Sequence, residues 1–539
     1  MPKPLWTFIS DDGSFVSTLA HNNKELYFPL CNHEITASIT PDLHGDIQKG
    51  YDQYLLEPVS RINLTNSKSN RNFWIYINPH TVWSVTGVSS DRSLSSLDSV
   101  KIEAGLLWHR VIRNNKKIGI QATITSCIPS SNDPVEIMRV DLTNISSKAI
   151  RMIPWAAIPV YARSADTVRD HRHVTSLLNR CTKTPYGLIV KPTLLFNERG
   201  HYPNIHSFFV FGSDGNGKKP QHIYTSYHEY IGRGDLENPD AVYLNKQPKK
   251  GRINQGCEAC AGLKFQRTTI KPRQTITYII LLGITDNTHK SETIRTSYNT
   301  TTKIDRALEL THKHWKQIST TIAAKTGNSQ YDQWFRWVSI QPHLRRIYGN
   351  SYLPDFDYGK GGRGWRDLWQ DSLALILTHE RSVRENIIQY FSGVRIDGSN
   401  ATIIGSHPGE FIADRNNIAR VWMDHGTWPF LTTAFYINQT GDMSILVEKK
   451  PYFKDHHIFR SRQIDKTWHP SQGTKLLTDS GTVYEGTVIE HVLLQHLVQF
   501  FNVGKHNCMR LENADWNDGL DMAYEHGESV AFTALYCYT

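Results

Sequence analysis

The sequence is poor in cysteine, which limits the covalent and metal chemistry that it can support. Seven cysteines are scattered over 539 residues, without the dense pattern of a disulfide framework. Cys257 and Cys260 have the spacing of two zinc ligands, but no second Cys-x-x-Cys pair accompanies them. We therefore expect neither structural disulfides nor a metal site.

Long apolar runs are also missing. Residues 1–6 lack the apolar core of a secretory signal. No stretch approaches the roughly 18 consecutive apolar residues of a membrane-spanning helix. These absences predict a soluble, cytoplasmic protein that does not bind a membrane.

A basic stripe of the kind found in nucleic-acid-binding proteins is absent as well. The formal net charge is +9, but the densest basic segments, 218–219 and 249–252, are short and loop-like. No recognisable nucleic-acid-binding module accompanies them. We expect no nucleic-acid partner and interpret the charge as favouring solubility and the attraction of an anionic substrate.

Several common catalytic and ligand-binding motifs are missing too. The sequence has no His-Glu-x-x-His zinc motif and no Gly-x-Ser-x-Gly nucleophile turn. Residues 515–526 fail the calcium-loop pattern, because Gly519 lies one place early and His526 replaces the final Glu. Residues 359–364 fit Gly-x-Gly-x-x-Gly, but no good strand precedes them, as a dinucleotide fold requires. We expect no bound cofactor.

The sequence does contain the pattern of a large β-rich domain over residues 1–286. Hydrophobic residues make up 39% of the chain, enough for a large core in two or more domains. In segment 118–125, apolar and small polar residues alternate with period two, which is typical of a strand with one buried face. Segments 106–112 and 276–282 continue this pattern between turn residues. They predict an antiparallel β-sandwich.

The pattern changes after residue 286. Residues 287–330 carry one apolar stripe at helical spacing, which predicts a linker of one or two helices. Residues 331–539 contain helical segments separated by long polar loops, and such loops in a compact domain are often functional. We expect an α+β multidomain protein with divisions at 286/287 and 330/331.

Residues 513–521 form the most informative motif. Asp515, Asp518 and Asp521 recur every third residue, a spacing that clusters acids on one side of a helix or turn. Trp516 adds a flat apolar face that could pack on a sugar ring, and an apolar wall raises the pKa of a nearby carboxyl group toward that of a proton donor. The alternative is a solvated acidic turn.

Two polar groups at helix starts are further candidates. In the predicted helix 366–378, Arg366 and Gln370 share one face, as do Asp367 and Asp371. These side chains could hydrogen-bond adjacent sugar hydroxyls, or they could be an ordinary salt-bridge cluster. Asp424 precedes another predicted helix, 428–438, and a capping Asp with a satisfied His beside it explains that segment equally well.

Taken in order, these motifs resemble those of the inverting β-glycoside phosphorylases, the family of the cellobiose, chitobiose, cellodextrin and laminaribiose phosphorylases. Residues 27–30 and 40–46 look most like the laminaribiose branch. The motifs that carry the resemblance are Gly364-Trp365-Arg366-Asp367 with Gln370-Asp371, Asp424-His425 with Trp428-Pro429, and Ala514-Asp515-Trp516-Asn517-Asp518.

The resemblance implies a fold and a role for individual residues. The fold would be an N-terminal β-sandwich, a helical linker and an (α/α)₆ barrel. Asp518 would be the general acid, and Trp516 would line the pocket beside it. Arg366 and Asp367 would bind the glucose at the non-reducing end. Secondary contacts would come from Gln370, Asp371 and Asp424.

The reaction that the resemblance implies is phosphorolysis of a β-glucosyl disaccharide or short oligosaccharide. An inverting hydrolase needs a second carboxylate, about 6.5–9.5 Å from the acid, to activate water. A phosphorylase uses inorganic phosphate, already a nucleophile, as its co-substrate, and needs a cationic site to hold it. The products would be α-glucose 1-phosphate and a shortened sugar. Family members often dimerise, so a homodimer is a further expectation.

This sequence departs from the family at its C-terminus. The family's phosphate-binding His and Thr residues follow well after the acid motif, whereas this sequence stops 21 residues past Asp518. Twelve barrel helices of about 11–12 residues each, with long loops, do not fit between residues 331 and 539. We therefore predict a C-terminally truncated chain with an incomplete barrel, inactive by itself.

Two other functions compete with this interpretation. The first is an inverting glycoside hydrolase on the same barrel, which would release sugar without phosphate. The second is a non-catalytic carbohydrate-binding fragment, which would bind glucosides without turnover.

Overall fold

The computed structural model describes residues 4–19, 27–50, 52–60, 63–64, 67–91, 93–197, 200–249, 254–348, 363–404, 410–413 and 421–539. Within these ranges, the side chains of residues 169, 197, 363, 403, 404 and 518 are not described. The chain divides into two compact units, and the division falls between Gln341 and Pro342. Pro342 lies inside a helix, where it cannot donate a backbone hydrogen bond.

The first unit contains two large antiparallel sheets. In the described residues, ten strands form the larger sheet and six form the smaller one. The larger sheet has the order Thr7–Phe8, Phe15–Ser17, Asp98–Gly105, Trp108–Asn115, Ile120–Cys127, Val135–Asn144, Thr275–Thr285, Ser207–Asp214, Gly187–Val190 and Cys181–Lys183. The smaller has the order His222–Ser226, Ala259–Lys264, Ile150–Val160, Asn72–Asn78 and Thr81–Ser84, with Thr268–Ile270 beside the start of Ile150–Val160.

Shorter strands complete both units. The first unit adds a four-stranded sheet of Phe28–Cys31, Thr36–Ile39, Ile47–Gln48 and Tyr54–Leu56, and a hairpin of Leu194–Asn197 with Gly200–Pro203. The second unit has a three-stranded sheet of Arg363–Gly364, Ile403–Ile404 and Phe411–Ile412. Its paired strands are Lys449–Pro451 with Glu485–Thr487, His457–Ile458 with Gln463–Ile464, and Met509–Arg510 with Glu528–Ser529.

The period-two pattern accounts for the core of the sandwich. Val111 pairs with Ile124, Ile124 with Val140, and Val140 with Tyr278, so one row of side chains crosses four strands. All four are buried. Because alternate residues of a strand point to opposite faces, this register places the apolar set in the core.

The helices become long only after the sandwich. They are α1 Arg172–Thr175, α2 Tyr227–Ile231, α3 Asp240–Tyr243, α4 Thr288–Ser297, α5 Thr301–Ser319, α6 Ser329–Tyr348, α7 Trp365–Leu377, α8 Val383–Tyr390, α9 Thr427–Thr440, α10 Val488–Phe501 and α11 Val530–Tyr538. In α5, the predicted apolar stripe buries Ile304 and Trp315. Among the described residues, no helix is long and apolar enough to cross a membrane.

The core of the second unit is aromatic. Trp365 and Trp369 of α7 are fully buried, and the ring of Trp369 lies 5.0 Å from that of Phe391. Helix α10 contributes Val488 and Val492 to the same cluster. The predicted fold class, an antiparallel sandwich followed by a helical linker and a helical region, is confirmed.

Candidate functional site

A buried ion pair joins two of the predicted motifs. The Nε of Arg366, on the first turn of α7, lies 2.6 Å from Oδ2 of Asp424, and its Nη2 lies 2.9 Å from Oδ1. The side chains are 11% and 0% exposed. Trp428 donates its indole N–H to the same Oδ2 at 2.8 Å. Two parallel charge-assisted bonds fix the guanidinium in one orientation.

The same guanidinium holds the backbone of the third motif. Its Nη2 donates to the carbonyl of Asp515 at 2.9 Å, and its Nη1 donates to the carbonyl of Trp516 at 3.2 Å. We call residues 511–518 the acid loop. Asp424 thus orients Arg366, and Arg366 in turn fixes the acid loop two and three residues before Asp518.

The acid loop has an irregular backbone held by further hydrogen bonds. Glu512 has a φ of 52° and Ala514 a φ of 141°, both uncommon for residues other than glycine. The backbone N–H of Met423 donates to the carbonyl of Ala514 at 3.1 Å. The carboxylate of Asp515 accepts from the N–H of Asn517 at 2.8 Å and from Ser529 at 3.1 Å. Asp515 is therefore occupied in shaping the loop.

Asp518, the predicted general acid, begins a short 3₁₀ helix, Asp518–Ala523, capped by the side chain of Asn517. Its own side chain lies outside the described part of the structure, so its role stays a prediction. The side chain of Trp516, in contrast, is 62% exposed while its carbonyl is held by Arg366. An exposed ring on an anchored backbone suits contact with a sugar face.

The remaining predicted residues lie on α7. Asp371 accepts a hydrogen bond from Nε of Arg345 at 2.8 Å. Asp367 and Gln370 are half-buried on the same helix. The structure therefore joins Arg366 to the acid loop directly and Asp424 to it through Arg366, whereas Asp371 pairs with α6.

Asp424 and His425 differ from the capping arrangement that the sequence also allowed. Asp424 does not cap α9, whose N-cap residue is Gly426. The Nδ2 of Asn400 lies 3.1 Å from Nδ1 of His425, but the buried Nε2 has no hydrogen-bond partner among the described residues. Burial, with the nearby guanidinium groups of Arg366 and Arg460, holds the pKa of His425 well below its ordinary value. His425 is therefore a neutral ring.

Trp422 contacts both Arg366 and His425. Its ring is 5.2 Å from the guanidinium carbon of Arg366, and it meets the ring of His425 edge to face at 4.8 Å. A cation over the face of an indole ring is attracted to its π-electrons. Trp422 thus adds a third contact that restrains Arg366.

A second buried ion pair, which no sequence motif indicated, reaches the acid loop. Arg460 donates from Nε to Oε1 of Glu512 at 2.8 Å and from Nη2 to the other carboxylate oxygen. The Nη2 also donates to Gln499 of α10 at 3.1 Å. Arg460 lies in a polar segment of the sequence that has no periodicity. One sequence feature could have indicated the pair: Glu512 is an acidic residue next to the acid motif.

Helix α10 shows which of its residues face inward. His491, Gln495 and Gln499, spaced four apart, are buried, and both polar atoms of the Gln495 side chain lack a partner in the described chain. Glu490 accepts hydrogen bonds from Tyr452 at 2.9 Å and Tyr484 at 3.0 Å. This face of α10 therefore places polar side chains in the interior of the helical unit.

In the part of the chain that the structure describes, no group of three His, Cys, Asp or Glu could hold a metal ion. All seven cysteines are free thiols.

The sequence is similar to those of several known proteins. Residues 67–301 match the family model described as glycosyl hydrolase 94, supersandwich domain. The chain is 22% identical over 442 residues to N,N'-diacetylchitobiose phosphorylase of Vibrio proteolyticus, covering 77% of this chain and 49% of that protein. It is 22% identical over 404 residues to solabiose phosphorylase of Paenibacillus borealis, covering 73% and 44%. The predicted resemblance to the phosphorylase family is confirmed, while the laminaribiose branch stays a prediction.

Two further proteins are similar to this chain over part of their own length. The cyclic beta-(1,2)-glucan synthase of Rhizobium meliloti (strain 1021) is 22% identical over 452 residues, covering 83% of this chain and 14% of that protein. A bacterial glucoamylase complexed with acarbose has a TM-score of 0.46 at 10% identity, covering 77% of this chain and 55% of the other; no conclusion depends on this likeness. The chain spans about half the length of the phosphorylases that it matches.

Proposed function

We propose that this chain, which carries a glycosyl hydrolase 94 supersandwich domain over residues 67–301, takes part in the inverting phosphorolysis of a β-glucosyl disaccharide or short oligosaccharide. The products are α-glucose 1-phosphate and a shortened sugar. The observation that carries this proposal is the chain of contacts from Asp424 through Arg366 to the carbonyls of Asp515 and Trp516. It links all three motifs of the resemblance in one place.

The chemical step divides between the acid and the nucleophile. Asp518 gives its proton to the glycosidic oxygen as the bond from that oxygen to the anomeric carbon breaks. A phosphate oxygen forms the new bond from the opposite face of the ring, so the configuration inverts. The shortened sugar leaves with the proton, the attacking phosphate gives up a proton in turn, and Asp518 regains one before the next turnover. Inorganic phosphate is a co-substrate, and no cofactor takes part.

The described residues contribute orientation. Asp518 follows the held carbonyls by two and three positions, so the Arg366 contacts restrict where its backbone lies. Restricting a catalytic group in this way lowers the entropic part of the barrier. The exposed ring of Trp516 provides an apolar face for the glucose. Asp367, Gln370 and Asp371 of α7 would contact its hydroxyls, the role that the motif resemblance gives them.

The test is phosphate-dependent cleavage of β-glucosyl disaccharides of different linkage. If this chain carries out the proposed reaction by itself, glucose 1-phosphate forms only with phosphate and is lost in Asp518→Asn; no turnover by the purified chain agrees with the inactivity predicted from the sequence. The reverse reaction, release of phosphate from α-glucose 1-phosphate and an acceptor sugar, is an independent assay. Free glucose formed equally without phosphate would instead support the inverting hydrolase.

The carbohydrate-binding alternative makes a different prediction. If the purified chain binds glucosides without turnover, and Asp518→Asn binds them equally well, the chain is a binding module. A chain that neither cleaves nor binds a β-glucoside contradicts both functions. Turnover by the purified chain would contradict the prediction, made from the sequence, that it is inactive by itself.

A further inference from the structure

The hairpin formed by His457–Ile458 and Gln463–Ile464 has an unusual tip. Phe459, Arg460 and Ser461 have φ angles of 53°, 56° and 62°. Residues other than glycine rarely adopt this left-handed backbone conformation. Three consecutive residues keep this conformation only where the surrounding structure holds them. Such segments concentrate at functional sites.

The contacts of Arg460 show what holds the tip. Its backbone N–H donates to Oδ2 of Asp397 at 2.6 Å, and its side chain grips both carboxylate oxygens of Glu512 and the amide oxygen of Gln499. The side chains of Arg460 and Glu512 are 12% and 5% exposed. The tip is therefore anchored to the acid loop at Glu512, near the start of the loop. Arg366 holds the loop further along, at residues 515 and 516.

Phe459, the residue before Arg460, is exposed rather than buried. Phe459 is 64% exposed although Arg460 beside it is enclosed. Single exposed apolar side chains are common and by themselves need no explanation. This ring, however, stands on a backbone that is held to the acid loop, where the ring of Trp516 is also exposed. A sugar presents apolar CH faces, and both rings could pack against one.

We propose that the hairpin tip is part of the carbohydrate site. Arg460 is a positioning residue that fixes the tip to the acid loop, and Phe459 contacts a sugar ring bound beside that loop. This assignment rests on the proposed function, because the acid loop is a sugar site only if that function is correct. It adds a second aromatic contact that none of the sequence motifs contains.

The first experiment measures binding of cellotriose and laminaritriose by calorimetry. We expect Phe459→Ala to weaken binding of whichever sugar the wild-type chain binds by about tenfold, the scale expected for losing part of a buried aromatic ring. Phe459→Tyr, which keeps the ring face, should bind like the wild type. Phe501→Ala is the matched control, since that ring is exposed at the end of α10.

The outcomes separate the two proposals. Unchanged binding in Phe459→Ala, with binding by the wild type established, overturns the role of the tip and leaves the proposed function intact. Absence of binding in the wild type contradicts both. An equal loss in Phe501→Ala would show a nonspecific effect and also overturn the assignment.

The second experiment tests the anchor without any sugar. Arg460→Lys keeps the positive charge but loses the two-pronged geometry that grips a carboxylate. We expect faster hydrogen exchange of the backbone amides in residues 509–524, with exchange in the sandwich unit unchanged. Exchange at the wild-type rate in the acid loop would overturn the positioning role of Arg460, whether or not the chain is an enzyme.

Discussion

The sandwich and the helical unit each contain a buried arginine that grips a carboxylate and then reaches main-chain carbonyls. In the sandwich, Arg71 donates to Glu136 at 2.6 and 2.7 Å and to carbonyls that include those of Gly45 and Asp46. In the helical unit, Arg366 donates to Asp424 and to the carbonyls of Asp515 and Trp516. The same arrangement of donors therefore occurs in both units, in different surroundings.

The difference lies in what each arginine fixes. Arg71 and Glu136 are both 0% exposed, and the loop they hold is sealed in the core, where a Cβ on Gly45 would lie 2.0 Å from the carbonyl of Ser38. Arg366 holds a loop that presents the exposed ring of Trp516. A buried ion pair therefore does not by itself indicate a functional site. The exposed groups on the segment that it holds distinguish the two cases.

The largest expected effect is on the sandwich pair. Glu136→Gln leaves the guanidinium of Arg71 buried without a counter-charge, and we expect a loss of about 3–5 kcal/mol in the free energy of unfolding of the first unit. Thermal and urea unfolding followed by circular dichroism measure it. Hydrogen exchange in the acid loop should not change.

Glu103→Gln is the control for this experiment. Glu103 pairs with Lys101 and Arg110, which are partly exposed, so we expect a loss of at most about 1 kcal/mol. Equal losses in the two variants would show that burial does not set the strength of these pairs.

Breaking the pair in the helical unit should change a different observable. Asp424→Asn keeps one acceptor but removes the charge that orients Arg366, and we expect a loss of about 2–3 kcal/mol, the scale of a hydrogen bond to a charged group. Here the amides of residues 509–524 should exchange faster, and any phosphorolysis should slow through kcat more than through KM.

Asp371→Asn, which changes another acid pair of α7, is the control for Asp424→Asn. We expect it to leave hydrogen exchange in the acid loop unchanged. If Asp424→Asn destabilises the protein without altering exchange in the acid loop, the contrast between the two arginines disappears. The pair of Arg366 and Asp424 would then be structural, like that of Arg71 and Glu136.

The pH dependence of stability gives a smaller effect. The pKa of His425 is lowered well below 6.5 in the folded chain, so the unfolded chain binds this proton more readily. The contribution of His425 to stability is therefore complete above pH 6.5 and is lost as the pH falls. Between pH 6.5 and 5 we therefore expect the free energy of unfolding to decrease as the pH falls.

The measurement compares unfolding at several pH values. His425→Gln should reduce the decrease in stability between pH 6.5 and 5, whatever its effect on stability at pH 7. His526→Gln, a change at an exposed residue, should keep the wild-type dependence. The same dependence in all three proteins would mean that His425 is not buried as a neutral ring.

The smallest effect is expected for the partly exposed pair of Arg345 and Asp371. Their side chains are 30% and 19% exposed, so Asp371→Asn should cost about 0.2–1 kcal/mol. The acid loop should exchange at the wild-type rate. A loss of glucoside binding without a loss of stability would identify Asp371 as a substrate contact, the role expected from the resemblance.

The regular elements were largely predictable. The helix expected from residue 366 to 378 is Trp365–Leu377, and that expected from 428 to 438 is Thr427–Thr440. The strand expected over 276–282 lies within Thr275–Thr285. These segments combine strong periodicity with apolar residues, so local pattern and burial agree. Helix α10 begins at Val488, and the three residues before it, Glu485–Thr487, pair as a strand with Lys449–Pro451.

The contacts of the site were less predictable. The sequence indicated a polar group at Arg366 and another at Asp424, but not that they bind each other. Arg460 and Glu512 were not recognised at all, because they lie 52 positions apart and neither belongs to a periodic segment. In α10, the buried face includes Gln495 while Leu493 is exposed, the reverse of what hydrophobicity alone predicts.

The sequence by itself therefore determined the order of a sandwich, a helical linker and a helical region, together with the three polar motifs. Periodicity of two or 3.6 residues is a local property, and it survives in a single sequence. Only the tertiary structure decided which arginine meets which carboxylate, and which rings stay exposed beside the acid loop. Those pairings depend on the packing of segments far apart in the chain, where small changes in register or helix rotation select different partners.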